Sequence, residues 1–148
     1  IESNSSFRSI IGNVVGNNID MALAVDGSRL HFRQYTKTYT DGTTNGDYGI
    51  SGNTVLAFNT WYHGAITVDR STQRLNMYIN GALDKSETVN IIGTSTSSTV
   101  LIGGPDSDSY SGARMFDGKI ATAMHYSRIL TADEVYQNYE AQKTRFGL

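Results

Sequence analysis

Alternating apolar and polar residues, a two-residue turn, and then the alternation again form the pattern that most constrains this chain. In "IDMALAVDGSRLHFRQYT" the turn reads as Asp26-Gly27, with Met21, Leu23 and Val25 on one face before it and Leu30 and Phe32 facing inward after it. A period of two puts every second side chain on one side of a strand, and Asp-Gly tolerates the positive φ angles of a type I′ turn. The run predicts a hairpin. "NTWYHGAITVDRSTQRLNMYINGALDKSETVN" repeats the pattern. Tyr62, Ile66 and Val68 share a face opposite Trp61, His63 and Ala65, a polar turn at Ser71–Gln73 leads to Leu75, Met77 and Ile79, and Asn80-Gly81 turns the chain again.

The remaining stretches extend the same reading. "STVLIGG" predicts a short apolar strand, and "FDGKIATAMHYSRIL" a last strand in which Ile120, Ala121 and Ala123 pack closely. Residues 36–54 carry Asp41-Gly42 and Asn45-Gly46 but few aliphatic residues, which predicts a long surface excursion. At residue 131 the period changes from two to 3.6. Thr131 and Glu134 form a Thr-x-x-Glu capping box, Leu130 and Val135 are placed as its hydrophobic staple, and Gly147 follows the last turn. Ala132, Val135, Tyr136, Tyr139 and Phe146 make one stripe, predicting a packed terminal helix rather than a catalytic element.

Composition agrees with one strand-and-turn domain. The 148 residues include 15 Gly and nine Tyr, with one Pro, and 39% are hydrophobic, enough for a core without a staple. A net charge of −2 gives nucleic acid or an anionic membrane no electrostatic purchase, and no apolar run is long enough to span a bilayer. Zero Cys excludes disulfides, cysteine-ligated zinc, iron–sulfur clusters and thiol nucleophiles. The chain begins at Ile1 rather than Met, which suggests processing or a place within a longer polypeptide.

"NTWYHGAITVDRSTQRLNMYINGAL", "TVLIGG" and "MFDGKIATAMHYSRILTADEVYQNYEAQKTRFG" together resemble the LamG-like group of concanavalin A-like jelly rolls. The shared order is a Trp-led strand, a strand ending in Tyr-hydrophobic-Asn-Gly, an Ile-Gly strand end, an aromatic-x-Gly before a final strand, and a closing Leu-Thr-x-x-Glu helix. The resemblance covers residues 55–147, and the hairpin at 19–35 less specifically. It implies an all-β fold: a two-sheet antiparallel jelly-roll sandwich with one short C-terminal α-helix, over residues 1–148 as a single domain. It also implies a non-enzymatic module on a virus particle, at the virion surface as a capsid-decoration or tail-associated protein, since the ending looks most like bacteriophage examples. The alternative is a carbohydrate-binding domain of a secreted bacterial enzyme or adhesin, hence extracellular. Relatives carry one or more strands before the stretch matching Phe7–Asn13, and this chain has almost none. Its N-terminal strand is therefore expected from upstream residues or from a neighbouring subunit, at the edge formed by Lys119–Tyr126 and the Val135, Tyr139 and Phe146 stripe. Oligomerisation follows from the second case.

Candidate chemistry is sparse. Cleaving polysaccharide takes two carboxylates about 5–10 Å apart, and no Glu-x-Asp-x-Glu strand pattern supplies them: Glu87 stands alone, and Asp133, Glu134 and Glu140 lie on the helix. His31, His63 and His125 sit on three different predicted strands with no acidic orienter close in sequence, and neither a Gly-x-Ser-x-Gly elbow nor a phosphate-binding loop is present. No enzymatic activity is expected. In "GGPDSDSYSG", Asp106 and Asp108 offer hard oxygen ligands suited to calcium, though the same composition is ordinary turn chemistry. Tyr39, Tyr48 and Tyr110 are the aromatic candidates for stacking on a sugar. Trp61, the only Trp, is expected to be buried.

Overall fold

The structure is a computed structural model of the chain; it describes residues 7–15, 18–34, 37–38, 44–45, 48–89, 99–104 and 115–148. Among these residues ten strands and one helix follow in chain order: β1 (Arg8–Val15), β2 (Asn18–Asp26), β3 (Arg29–Gln34), β4 (Lys37–Thr38), β5 (Thr44–Asn45), β6 (Tyr48–Ser51), β7 (Gly64–Asp69), β8 (Arg74–Ile79), β9 (Ala82–Thr88), β10 (Thr99–Ile102) and α1 (Ala132–Phe146). Their antiparallel ladders make a five-stranded sheet in the order β10-β1-β2-β3-β6, a three-stranded sheet β7-β8-β9 and a short β4-β5 pair. The two larger sheets enclose one core. Val25, Leu30, Phe32 and Ile50 from the first meet Leu75, Met77 and Ile79 from the second, with Leu56 and Val89 closing the cluster. This is the expected all-β sandwich, and the inward residues of β2, β3 and β8 are those that the alternation assigned.

The first hairpin turns one residue later than the sequence suggests. Gly27 and Ser28, both with positive φ, are the central pair, and Asp26 faces Arg29. The shift sets Val25 opposite Leu30 and Leu23 opposite Phe32. A turn centred on Asp26-Gly27 would instead set Val25 opposite Ser28 and lose an apolar cross-strand pair. At the second hairpin Asn80 and Gly81 turn the chain as expected, with φ of 51° and 75°.

Two stretches depart from their predicted roles. Within the excursion expected at 36–54, Tyr48–Ser51 forms β6 and pairs with β3 from Gln34 to His31, so Ile50 reaches the core beside Phe32. A single buried Ile in four residues carries too little period to be recognised as a strand. Residues 117–130, within the stretch Phe116–Leu130 expected as a last strand, join no ladder among the described residues. Met124 and Tyr126 are exposed there, and Ile120 is half-buried.

Helix α1 starts as its sequence prescribes. The Thr131 hydroxyl accepts from the Glu134 N–H at 3.2 Å, the Glu134 carboxylate accepts from the Thr131 N–H at 2.9 Å, and Gly147 caps the far end at φ 67°. Val135 is its fully buried residue, 1% exposed. The helix lies over the β8–β9 turn and the segment leading into β7. A Cβ on Gly81 would stand 2.9 Å from the rings of both Tyr136 and Tyr139, so the glycine is the helix seat. Phe146 packs 5.3 Å from Trp61, ring centre to ring centre, and Tyr139 packs 6.0 Å from His63.

Candidate functional site

The alternation that sends Leu30 and Phe32 inward sends Arg29, His31 and Arg33 to the outer face of the five-stranded sheet. There His31 Nδ1 lies 2.9 Å from Ser51 Oγ and 4.0 Å from the Asp26 carboxylate. Phe7 meets the imidazole edge-on, with ring centres 5.7 Å apart, and the Arg33 guanidinium lies 5.6 Å above the Phe7 ring. Gly49 makes room for the imidazole, because a Cβ there would stand 2.9 Å from His31 Nε2. His31 is 7% exposed, and burial lowers its pKa; Asp26 opposes that shift and Arg33 adds to it. A basic group, an aromatic ring, an imidazole and a hydroxyl therefore converge on one sheet face.

Serine, histidine and aspartate together invite comparison with a catalytic triad, and the geometry argues against one. A relay needs the hydroxyl on one ring nitrogen and the carboxylate on the other. Here Ser51 and Asp26 both face Nδ1, while Nε2 faces Gly49. Five carboxylates elsewhere among the described residues have structural partners. Asp84 accepts from the Asn53 N–H at 2.7 Å, and from the Thr54 N–H and hydroxyl, fastening the loop after β6 to β9. Asp69 caps its own turn by accepting from Ser71 and Thr72, which depresses its pKa to about 2. Glu87 pairs with Lys85, Glu134 with Arg128 and Glu140 with Lys143.

A second feature is a cavity of about 170 Å³ that opens from the core to the surface. Ile10, Val25 and Leu30 of one sheet and Ile79 of the other form its floor. Thr60–Gly64 makes one rim and Lys119–Thr122 with Met124 the other, while Phe146 and Leu148 border it from the helix end. Trp61, expected to be buried, stands on this rim with 37% of its surface exposed. It precedes β7, where Phe146 at the helix end packs against it. His63 is anchored by its main chain: its N–H donates to Asn80 Oδ1 at 2.9 Å, and its carbonyl accepts from the Asn80 N–H at 2.8 Å. Among the described residues His63 Nδ1 is buried without a hydrogen-bond partner, and burial lowers the ring's pKa.

Of the residues singled out by sequence, Tyr39, Asp106, Asp108 and Tyr110 lie outside the described residues. Tyr48 is in β6 and packs, half-buried, against the core cluster. Val135 and Tyr139 lie on the packed side of α1, and Phe146 borders the cavity. Among the described residues no group of three metal-ligating side chains comes together. No helix is long and apolar enough to cross a membrane among them. The His31–Ser51 pairing was not visible in the sequence, because it depends on β6 aligning with β3. The outward Arg29, His31 and Arg33 alternation was the only local trace of that face.

Two packed antiparallel sheets with a closing helix define the class, a jelly-roll sandwich. The chain belongs to the concanavalin A-like lectin/glucanases superfamily, which it matches over residues 1–136. No curated protein sequence matches it significantly. Among solved structures it is similar to the CBM40 module of the Ruminococcus gnavus IT-sialidase bound to α2,3-sialyllactose. That likeness has a TM-score of 0.68 at 16% identity and covers 93% of this chain and 76% of the module. It is also similar to the binding domain of Paraclostridial Mosquitocidal Protein 1, with a TM-score of 0.58, 17% identity, and coverage of 93% and 32%. The receptor-binding domain of botulinum neurotoxin D gives a TM-score of 0.58 at 16% identity, with coverage of 97% and 34%. The chain thus spans most of the sialidase module and about a third of each toxin domain.

Proposed function

We propose that this domain is a non-catalytic binding module that recognises glycans, and that it acts as part of an extracellular or surface protein. One observation carries the reading: the chain shares its fold, over 93% of its length, with a sialidase module whose structure holds sialyllactose. The outer sheet face supplies suitable chemistry. Half-buried Arg33 and Ser51 offer a cation for the carboxylate of an acidic sugar and a hydroxyl, while Phe7 and His31, each 7% exposed, are buried and position them from below. The position of Ser51 and Asp26 on the same imidazole nitrogen supports binding over turnover. A virion-surface role rests on the resemblance of the chain's ending alone, and copy number on a symmetric particle would separate it from glycan recognition.

The test is retention on an array of sialylated and neutral glycans, followed by titration of the best ligand. Arg33→Ala is expected to weaken binding of an acidic glycan by about tenfold or more, the scale of a lost charge-assisted contact. Its melting temperature serves as the folding control. Retention of no glycan, or unchanged affinity in both Arg33→Ala and His31→Ala, would overturn the proposal.

A further inference from the structure

The cavity lies on the inward side of β3, and its floor of Ile10, Val25, Leu30 and Ile79 suits a hydroxyl-rich glycan poorly. Two of the polar side chains on its wall have partners. The Tyr62 hydroxyl accepts from the Ala57 N–H at 2.9 Å, and the Thr60 hydroxyl donates to the Phe58 carbonyl at 3.1 Å. Lys119 and Thr122 stand exposed at the mouth, and Gln142 is half-buried on the helix side. His63 differs from all of these: its ring lines the cavity, and its Nδ1 is buried with no hydrogen-bond partner among the described residues. Native folds rarely leave a buried polar atom unpaired, and one on a cavity wall calls for a partner inside the cavity. The residue is held in place, with its main chain bonded to Asn80 and its ring centre 6.0 Å from that of Tyr139. Burial lowers the imidazole's pKa, so at neutral pH the ring is uncharged, with one N–H and one bare nitrogen.

We propose that the cavity binds a small phenol, a single aromatic ring carrying one hydroxyl, with the ring against the apolar floor and the hydroxyl hydrogen-bonded to His63 Nδ1. Size selects the ring. The cavity holds about 170 Å³, and an apolar cavity of roughly 150 Å³ is enough to take up benzene. The neighbours select an aromatic ring. Trp61, Phe116 and Phe146 line the space, and the Trp61 and Phe146 rings, 5.3 Å apart and tilted by 39°, give an incoming ring faces and edges to pack on. The nitrogen selects the hydroxyl, which both donates and accepts and so satisfies Nδ1 in either neutral tautomer. A water molecule serves worse. It needs roughly two to four polar partners, and among the described residues the buried wall offers this one unpaired atom. The opening between Thr60–Gly64 and Lys119–Thr122 gives a way in. The site is separate from the outer sheet face, so the inference is independent of the glycan reading.

The experiment titrates the protein with phenol and, separately, with benzene, following the Trp61 indole and the amides of His63, Gly64 and Ile79 by NMR. Both compounds are expected to bind saturably and to move these signals, with phenol about tenfold the tighter, the scale of one hydrogen bond to an otherwise unpaired atom. His63→Phe keeps a ring and removes the nitrogen, while the main-chain bonds to Asn80 stay available. It should bring the affinity for phenol down to that for benzene and leave the affinity for benzene unchanged. Lack of saturable phenol binding would overturn the proposal, as would equal affinities for the two compounds in the wild type, shifts confined to residues away from the cavity, or a preference for phenol that survives in His63→Phe. Should His63→Phe not fold, the wild-type ratio of the two affinities decides alone.

Discussion

β2 and the strip 117–126 both carry apolar residues in alternation, yet they end in opposite states. β2 is laddered to β1 on one side and β3 on the other, and its Ala24 and Val25 are 0% and 3% exposed. The strip has no ladder among the described residues, and its Met124 and Tyr126 are exposed. Alternation therefore assigns a face, whereas strand structure also needs a partner for the backbone. The contrast places the stability of the sandwich in the paired sheets.

The largest expected effect tests that placement. Leu75 and Met77 are fully buried between the sheets. Leu75→Ala should cost about 2–5 kcal/mol, because the transfer energy is lost and a cavity remains. Met124→Ala, at an exposed position of the strip, should change stability by less than about 0.5 kcal/mol. Urea unfolding of residues 1–148 measures both. A Met124→Ala loss as large as that of Leu75→Ala would show that the strip is already part of the sealed core.

Two turn glycines sharpen the comparison at the next level down. Gly27 and Gly81 both hold positive φ, at 55° and 75°. An alanine in that conformation costs about 1–2 kcal/mol. A Cβ on Gly27 meets nothing within 4 Å, whereas one on Gly81 meets Tyr136 and Tyr139 at 2.9 Å. Gly27→Ala should therefore cost only the conformational amount. Gly81→Ala should cost more and loosen α1, read as faster exchange of the helix amides. Equal losses would mean that the helix yields freely and is not seated on the turn.

Legibility in the sequence followed the range of the interaction. The hairpins, the inward residues Leu75, Met77 and Ile79, and the helix cap rest on neighbours a few positions apart, and the residues spell them out. Motif order over residues 55–147 carried the jelly-roll resemblance. What escaped was set by distant pairing. β6 becomes a strand because β3 lies beside it, and the Ser51 hydroxyl meets His31 only through that register. Trp61 looked buried from its residue type, and it stands instead on the cavity rim, 37% exposed. The outer sheet face was not legible: of its residues only His31 stood out, as a lone strand histidine, and Phe7 and Ser51 come from opposite sides of β3.

The smallest effect lies at the start of α1, the helix whose far end borders the cavity. Thr131→Ala removes the acceptor for the Glu134 N–H and should cost about 1 kcal/mol, typical of an N-cap. Glu134 also has a pH signature. The Arg128 guanidinium donates to both its oxygens, and with the Thr131 N–H holds its pKa down at about 2, against an ordinary 4.5. A carboxylate depressed in the folded state contributes stability that is fully present above its unfolded value and lost as pH falls toward the folded one. The window is therefore about pH 4.5 down to about 2. His31 and His63, lowered by burial, also lose stability on acidification, but in a window that begins near their ordinary value of 6.5. Melting temperatures of wild type and Glu134→Gln separate the two contributions. The variant should melt lower at neutral pH, keep that gap while the histidines titrate, and converge on wild type only as the pH approaches 2. Convergence already at pH 5 would show that the Arg128–Glu134 clasp does not hold the helix end in solution.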